Sequence, residues 1–112
     1  MTARKNISNK CKYVDTVVAL YLQMPDTPLK PSANDIITAS GFFDNGIPLL
    51  FVEAALLLAS IRRISRNGDQ TPLSPVRSLA YFVPVIQELV ATPMPDGYLQ
   101  YLRRKLQVKS PR

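Results

Sequence analysis

The sequence predicts an all-α fold, a single compact bundle of about five helices around a central apolar helix at residues 48–66. The stretch from Leu49 to Ile61 is apolar except for Glu53 and Ser60. A helix that is apolar on nearly every side has to be enclosed by the rest of its fold. Elsewhere, apolar residues recur at helical spacing, and we find no convincing strand pattern. The four glycines lie where predicted helices stop, as turn residues do.

The first helix is predicted from Asn6 or Ser8 to Met24, because the apolar side chains of this segment fall on one helical face. Residues 25–31 contain three prolines, each of which lacks a backbone donor and disfavours helix in the residue before it. We therefore expect a rigid, non-helical connector after the first helix.

A second, short helix is predicted to begin at Ser32, since an acid three residues later, Asp35, completes a capping-box pattern. Asn45 and Gly46 end it in a tight turn. Pro48 then suits the first turn of the central helix, where its missing N–H is not required. The arginines that close the central helix suit the negative end of its dipole.

Two further helices are predicted after a polar loop at residues 67–72. Ser74 and Pro75 have the pattern of a helix start, with the serine as cap. Pro84 lies inside the apolar pattern that follows, and an interior proline costs about 3 kcal/mol unless the backbone rearranges. We expect a kink there, or a break into two short helices. The last helix is predicted from Tyr98 to Gln107.

The chain has the size of one domain, with residues 1–5 and 108–112 expected to be flexible basic ends. A single cysteine, Cys11, excludes an intrachain disulfide and points to a reducing compartment, and no secretory signal is visible. The central apolar run of residues 47–61 would span about 22 Å as a helix, short of the ~30 Å hydrocarbon core of a membrane. We expect a cytoplasmic protein with no membrane partner.

The residue types give no support to an enzyme, a metal site or a cofactor site. The chain has no histidine, its eight acids are scattered, and no glycine-rich phosphate loop is present. Glu53 is expected either to lie on an exposed stripe with Ser60 or to be buried against a cation such as Arg77, as a structural ion pair rather than a catalytic acid. Cys11 lies between two lysines, a setting that suits a reactive thiol, but a partly buried, inert cysteine is the favoured interpretation.

The formal charge of +6 is concentrated towards the two ends and the segment after the central helix. Such basic regions suit a nucleic acid, an anionic membrane surface or an acidic protein, or serve only as a solvated surface. We predict that they form a composite basic surface for nucleic-acid phosphates, flanked by tyrosines that stack on unpaired bases. The residues assigned to this surface are Arg62, Arg63, Arg66, Arg77, Arg103, Arg104 and Lys105, with Tyr98 and Tyr101.

A helix-turn-helix interpretation of the two helices joined at Asn45 and Gly46 fails. A recognition helix has to present polar side chains to base edges, whereas the first turns of the central helix are almost entirely apolar. Contacts with DNA are therefore expected from the basic positions after this helix and from the ends of the chain.

The segments Gly46–Leu56 and Pro75–Leu89 together resemble a group of small, uncharacterised bacterial proteins associated with mobile elements. More distantly, residues 32–91 resemble the helical C-terminal modules of replication-initiator and DnaD-like proteins. In those modules an arginine-rich loop leads to a helix with a Tyr-x-x-x-Ile-type signature. Tyr81, Val85 and Ile86 lie where that signature would fall, interrupted by Pro84. The resemblance implies a DNA-associated accessory role in replication or transposition.

The prediction from sequence is thus a non-enzymatic, nucleic-acid-associated accessory module, with DNA or a nucleoprotein complex as its partner. The alternative is a protein-interaction or homodimerisation subunit without direct nucleic-acid contact, in which an apolar groove near Pro84 takes a partner helix or a second copy of the chain. An exposed apolar patch would favour that alternative.

Overall fold

A computed structural model of the protein describes residues 2–65, 75–92 and 94–109, with side chains from Asn9 to Val108 within these ranges. Every regular element in this part of the chain is helical, which confirms the predicted all-α fold. The elements are α1 (Thr2–Gln23), α2 (Ala33–Asp44), α3 (Leu49–Ile64), a 3₁₀ helix (Leu79–Phe82), α4 (Val83–Val90) and α5 (Tyr98–Lys109).

The apolar helix α3 lies at the centre of the bundle, as predicted. It packs against α1, α4, α5 and the 3₁₀ helix. Its side chains from Val52 to Ile61 are buried except for Glu53 and Leu58, which are half-buried. The two ends of the helix reach the surface, where Leu50 and Arg62 are exposed. Burial of each large apolar side chain contributes about 1.5–3 kcal/mol, so α3 is the main source of cohesion for the helices around it.

The start and end of α2 follow the predicted local chemistry. Ser32 Oγ accepts a hydrogen bond from the Asp35 N–H, and Asp35 Oδ2 accepts one from the Ser32 N–H, so the capping box is complete. Gly46 adopts a left-handed φ of 72° in the turn that follows α2. Pro48 occupies the N-cap of α3 and not its first turn, which shifts the start of the central helix by one residue.

The predicted helix start at Ser74 and Pro75 is wrong. Ser74 lies outside the described residues, and the backbone from Pro75 to Ser78 is not helical. Ser78 is the cap instead, because its Oγ accepts a hydrogen bond from the Ala80 N–H at the start of the 3₁₀ helix. The predicted break at Pro84 is confirmed, since the proline lies in the first turn of α4, where no N–H is needed.

Helix ends differ modestly from the prediction. α1 begins at Thr2, earlier than expected, α3 ends at Ile64, and α5 continues to Lys109. Helix ends are the least predictable part of an element because they depend on caps and packing as well as on periodicity. Of the segments predicted to be loop or flexible, residues 67–72, Met1 and residues 110–112 lie outside the described residues.

A buried carboxylate fastens the start of α2 to the 3₁₀ helix. Asp35 is 1% exposed, and its Oδ1 accepts a hydrogen bond of 2.9 Å from the Leu79 N–H, 44 residues further along the chain. The ring of Tyr21 in α1 packs edge-on against Phe82 at 6.0 Å between centroids. These contacts join α1, α2 and the 3₁₀ helix, whereas α5 packs mainly on α3.

Candidate nucleic-acid interface

Helix α5 presents one face to α3 and the opposite face to solvent. Leu102 is buried, and Leu99 and Leu106 are half-buried, at the three- and four-residue spacing of a single helical stripe. Tyr101 and Arg104 lie off this stripe and are exposed. The outward face of α5 is therefore held on a rigid element while its polar groups remain accessible.

A shallow hollow of about 430 Å³ lies on this outward face and is lined by Tyr101, Arg104, Lys105 and Val108. Its lining thus contains two cations, one aromatic ring and no carboxylate. Arg104 forms no ion pair with any side chain in the described part of the structure. An anion that enters the hollow would meet positive charge without competition from an acid in its lining.

Two tyrosines form a ring pair at the start of α5. Tyr98 and Tyr101 are stacked, with centroids 6.2 Å apart and planes 20° apart. The Lys105 ammonium lies 5.5 Å from the centroid of the Tyr101 ring and donates a hydrogen bond of 3.3 Å to the Tyr101 hydroxyl. Cation and ring are neighbours because residues four apart lie on the same side of a helix.

The other predicted cations of α3 and α5 form ion pairs with acidic side chains of the same chain. Arg62 donates two hydrogen bonds, of 3.0 and 2.7 Å, to the two carboxylate oxygens of Glu88 in α4. These hydrogen bonds raise the pKa of Arg62 and lower the pKa of Glu88 from their ordinary values. Both side chains are about half exposed, so solvent screening leaves the pair only a small contribution to stability.

Glu53, the acid inside the apolar helix, is paired with Arg103 of α5. The Arg103 guanidinium donates from Nε at 2.8 Å and lies 2.7 Å from the same oxygen through Nη2. The Glu53 side chain is 15% exposed, whereas Arg103 is 49% exposed. The structural ion pair expected for a buried Glu53 is therefore present, with Arg103 in the place for which Arg77 was named as an example. The alternative, an exposed stripe with Ser60, is wrong because Ser60 is buried. Arg103 is the partner because α5 packs directly on α3.

Among the ion-paired cations of the described residues, Arg63 has the least exposed side chain. Its side chain is 9% exposed and lies 3.2 Å from the Asp26 carboxylate, and it donates a hydrogen bond of 3.3 Å to the Tyr81 hydroxyl. The guanidinium also lies 5.4 Å from the centroid of the Tyr81 ring. Asp26 has a left-handed φ of 64°, and its carbonyl accepts from the Val76 N–H. Arg63 thus joins the connector after α1 to the 3₁₀ helix.

The remaining predicted residues divide as follows. Arg77 is exposed on the non-helical segment before the 3₁₀ helix, and Arg66 lies outside the described residues. The structure brings together on α5 the predicted residues Tyr98, Tyr101, Arg103, Arg104 and Lys105.

Sequence analysis missed Val108, which lines the hollow. It lies four residues after Arg104 and seven after Tyr101, a helical spacing that would have revealed it had the helix been extended past Gln107.

Cys11 is exposed on α1, which corrects the expectation of a partly buried cysteine. Within the described residues, no cluster of three or more histidine, cysteine or acidic side chains is arranged to hold a metal ion. In the same ranges, no helix combines the length and the apolar character that crossing a membrane requires.

The chain matches no family model, and comparisons with curated proteins and with solved structures found no match. What α5 does is therefore inferred from its geometry and charge.

Proposed function

We propose that this protein is a non-enzymatic, nucleic-acid-associated module that contacts phosphates and unpaired bases through the outward face of α5. One observation carries the proposal: the hollow on α5 is lined by Arg104, Lys105, Tyr101 and Val108, with two cations and no acid. Arginine and lysine bind phosphates and thereby give affinity without reading sequence.

The aromatic ring beside the cations favours a single strand over a duplex. Tyr101 is about half exposed, and base stacking on such a ring contributes about 1–3 kcal/mol per base. In a duplex the bases are already stacked on one another, so this contribution is available only from unpaired bases. The Lys105 ammonium, which lies near the ring, is within reach of the phosphate that would follow a stacked base.

The paired arginines contribute less to phosphate binding than the sequence alone suggests. Arg62 and Arg63 hold Glu88 and Asp26, so their charges are largely offset within the chain. Arg103 is paired with Glu53 but keeps half of its surface exposed, which leaves it at the edge of the site. In this proposal Arg104 and Lys105 are the principal phosphate contacts, Tyr98 and Arg103 flank them, and Arg77 is a separate outlying contact.

The cellular setting belongs to the same proposal. We propose a cytoplasmic accessory role on DNA in replication or transposition, which rests on the resemblance of residues 46–56 and 75–89 to mobile-element proteins and of residues 32–91 to replication modules. A rigid basic helix that holds a strand without reading its sequence suits such a role, because the specificity would come from the larger nucleoprotein complex.

The test is binding of a fluorescently labelled single-stranded oligonucleotide and of the matching duplex, measured by anisotropy. Lys105→Ala is compared with Lys30→Ala, which removes the same charge from an exposed position on the connector after α1. We expect Lys105→Ala to weaken single-strand binding several-fold and Lys30→Ala to leave it nearly unchanged. Arg104→Ala combined with Lys105→Ala should reduce the slope of log affinity against log salt by about 1.4 for a single strand.

Equal losses for Lys105→Ala and Lys30→Ala would contradict the proposal, because they would show a diffuse charge effect. Binding of neither oligonucleotide by the native chain would also contradict it. Circular dichroism of each variant checks that the helices are retained.

A further inference from the structure

The positive charge of the hollow on α5 is compact. Its lining residues, from Tyr101 to Val108, lie within about two helical turns, or about 10 Å along the axis, and within about 100° around it. At 100° per residue, Arg104 lies at one side of this sector and Lys105 at the other, with Tyr101 and Val108 between them. Both cations therefore flank any single anion that lies over the middle of the hollow.

Three hydrogen-bond donors surround that position. The Lys105 ammonium lies at the hydroxyl edge of the Tyr101 ring, because it donates a hydrogen bond of 3.3 Å to the Tyr101 hydroxyl and is 5.5 Å from the ring centroid. The hydroxyl accepts that bond and keeps its own O–H to donate. The Arg104 guanidinium is the third donor. The exposed part of the Tyr101 ring lies beside these groups, so an anion bound by them would be next to a stacked base.

Acidic side chains interrupt the positive surface beyond the hollow. On the described parts of α3, α4 and α5, Arg103 is paired with Glu53 and Arg62 is paired with Glu88. Asp96 is exposed immediately before the first turn of α5. Proteins that follow a single strand along its length use a positively charged groove that tracks the backbone. A compact pair of cations bordered by acids suits the end of a strand better than its middle.

We infer that the hollow on α5 binds a terminal phosphate of a nucleic-acid strand, a phosphate monoester at the 5′ or the 3′ end, with the adjoining base stacked on Tyr101. A phosphate monoester carries about 1.5–2 negative charges at pH 7 and presents three acceptor oxygens. Each phosphate inside a strand carries only one charge. Two cations and a hydroxyl donor match the monoester in charge and in the number of donors. The inference rests on the proposed function, since it names the part of the strand that the same site takes.

The test compares single strands of one sequence, each with an internal fluorescent label, by anisotropy with the full chain. One strand has a 5′-phosphate, one has a 3′-phosphate, and one has hydroxyls at both ends. A fourth strand with hydroxyl ends is one nucleotide longer, so it has as many phosphates as the phosphorylated strands and controls for total charge. We expect one phosphorylated strand to bind about fivefold or more tightly than both hydroxyl-ended strands. The strand that binds tightly identifies which end supplies the monoester.

Variants connect the preference for a phosphorylated end to the hollow. Arg104→Ala and Lys105→Ala should each reduce the ratio of the affinities for phosphorylated and hydroxyl-ended strands towards one, whereas Lys30→Ala should keep it. Tyr101→Phe retains the ring and removes the hydroxyl donor, so it should lower this ratio and leave the affinity for the hydroxyl-ended strand nearly unchanged. Tyr98→Phe is the matched control, because Tyr98 does not line the hollow. Circular dichroism spectra check that each variant is folded.

The outcomes separate this inference from the proposed function. Equal affinities for the phosphorylated strands and the longer hydroxyl-ended strand would overturn the inference. If Lys105→Ala still weakens the binding of all these strands, the proposed function stands without it. A preference for phosphorylated ends that survives Arg104→Ala combined with Lys105→Ala would also overturn the inference, because the phosphate would then bind elsewhere. Binding of no strand by the native chain would contradict the proposed function itself.

Discussion

Replacing Asp35 by alanine should be among the most destabilising single changes in this chain. The Asp35 carboxylate is buried, and its two oxygens accept hydrogen bonds from the Ser32 N–H and the Leu79 N–H, both at 2.9 Å. The first bond closes the capping box of α2, and the second fastens the 3₁₀ helix to α2 across 44 residues. Asp35→Ala removes both and leaves the Leu79 N–H without an acceptor in a buried position.

The magnitude follows from the two bonds. Hydrogen bonds to a charged group contribute about 1.5–3 kcal/mol each, and an unsatisfied buried donor costs a similar amount. We therefore expect Asp35→Ala to lower the free energy of unfolding by about 3–5 kcal/mol, a large part of the roughly 5–15 kcal/mol typical of a domain. Ser32→Ala is the matched control, because it removes only the Oγ acceptor of the same capping box and should cost about 1 kcal/mol.

Urea unfolding followed by circular dichroism gives both free energies, and amide hydrogen exchange at Leu79 reports on the long-range bond directly. Exchange at this amide should accelerate strongly in Asp35→Ala and little in Ser32→Ala. If the free energy of unfolding of Asp35→Ala lies within about 1 kcal/mol of that of the native chain, the buried carboxylate does not hold the two segments together and the reasoning is wrong.

Three further predictions follow from the other buried polar groups. Arg103→Ala should lower the free energy of unfolding by about 1 kcal/mol in urea titrations, because Glu53 is mostly buried and loses its partner; no change would show the pair to be incidental. Burial raises the pKa of Tyr13 and of Tyr21 to about 12, with the Asp35 charge adding to the effect at Tyr21. A raised pKa stabilises the fold below the unfolded value of 10.0, so this stability should be lost as pH rises from 10.0 to about 12, with a loss of helical signal by circular dichroism. Ring NMR signals of Tyr13 and Tyr21 that show ionisation near the ordinary pKa in the folded protein would contradict this burial. Tyr21→Phe should leave stability unchanged or raise it by up to about 1 kcal/mol in thermal unfolding, since the Tyr21 hydroxyl is buried and has no hydrogen-bond partner in the described structure; a large loss would reveal a partner.

The fold could be predicted from sequence because its signals are local. The apolar run of α3, the capping box at Ser32 and Asp35, and the turn at Gly46 each fix a helix or its end within a few residues. Pro84 was also informative. Because proline has no N–H to donate, it is tolerated in the first turn of a helix but not in its interior, so a new helix has to begin next to it. The helix start predicted at Ser74 was wrong because a serine followed by proline has the pattern of an N-cap, whereas Ser78 is the N-cap in the structure.

The site was harder to predict because charge pairing is not local. Arg62, Arg63 and Arg103 are paired with acids 26, 37 and 50 residues away in the chain. Nothing in the spacing of these residues reveals which cation meets which carboxylate, since that depends on how α4 and α5 pack against α3. A cluster of arginines in the sequence therefore overstates the exposed positive surface. Arg104 is exposed and Lys105 is half-buried, because the apolar stripe of α5 faces α3 and leaves Arg104 on the solvent side.

The most direct test of the α5 assignment is a backbone amide NMR titration of the full chain with a single-stranded oligonucleotide at low salt. The proposed function predicts that the largest shifts fall on Tyr101, Arg104, Lys105 and Val108 and return towards the free values as salt is added. Shifts that avoid α5, or that are spread evenly over all exposed lysines and arginines, would contradict it.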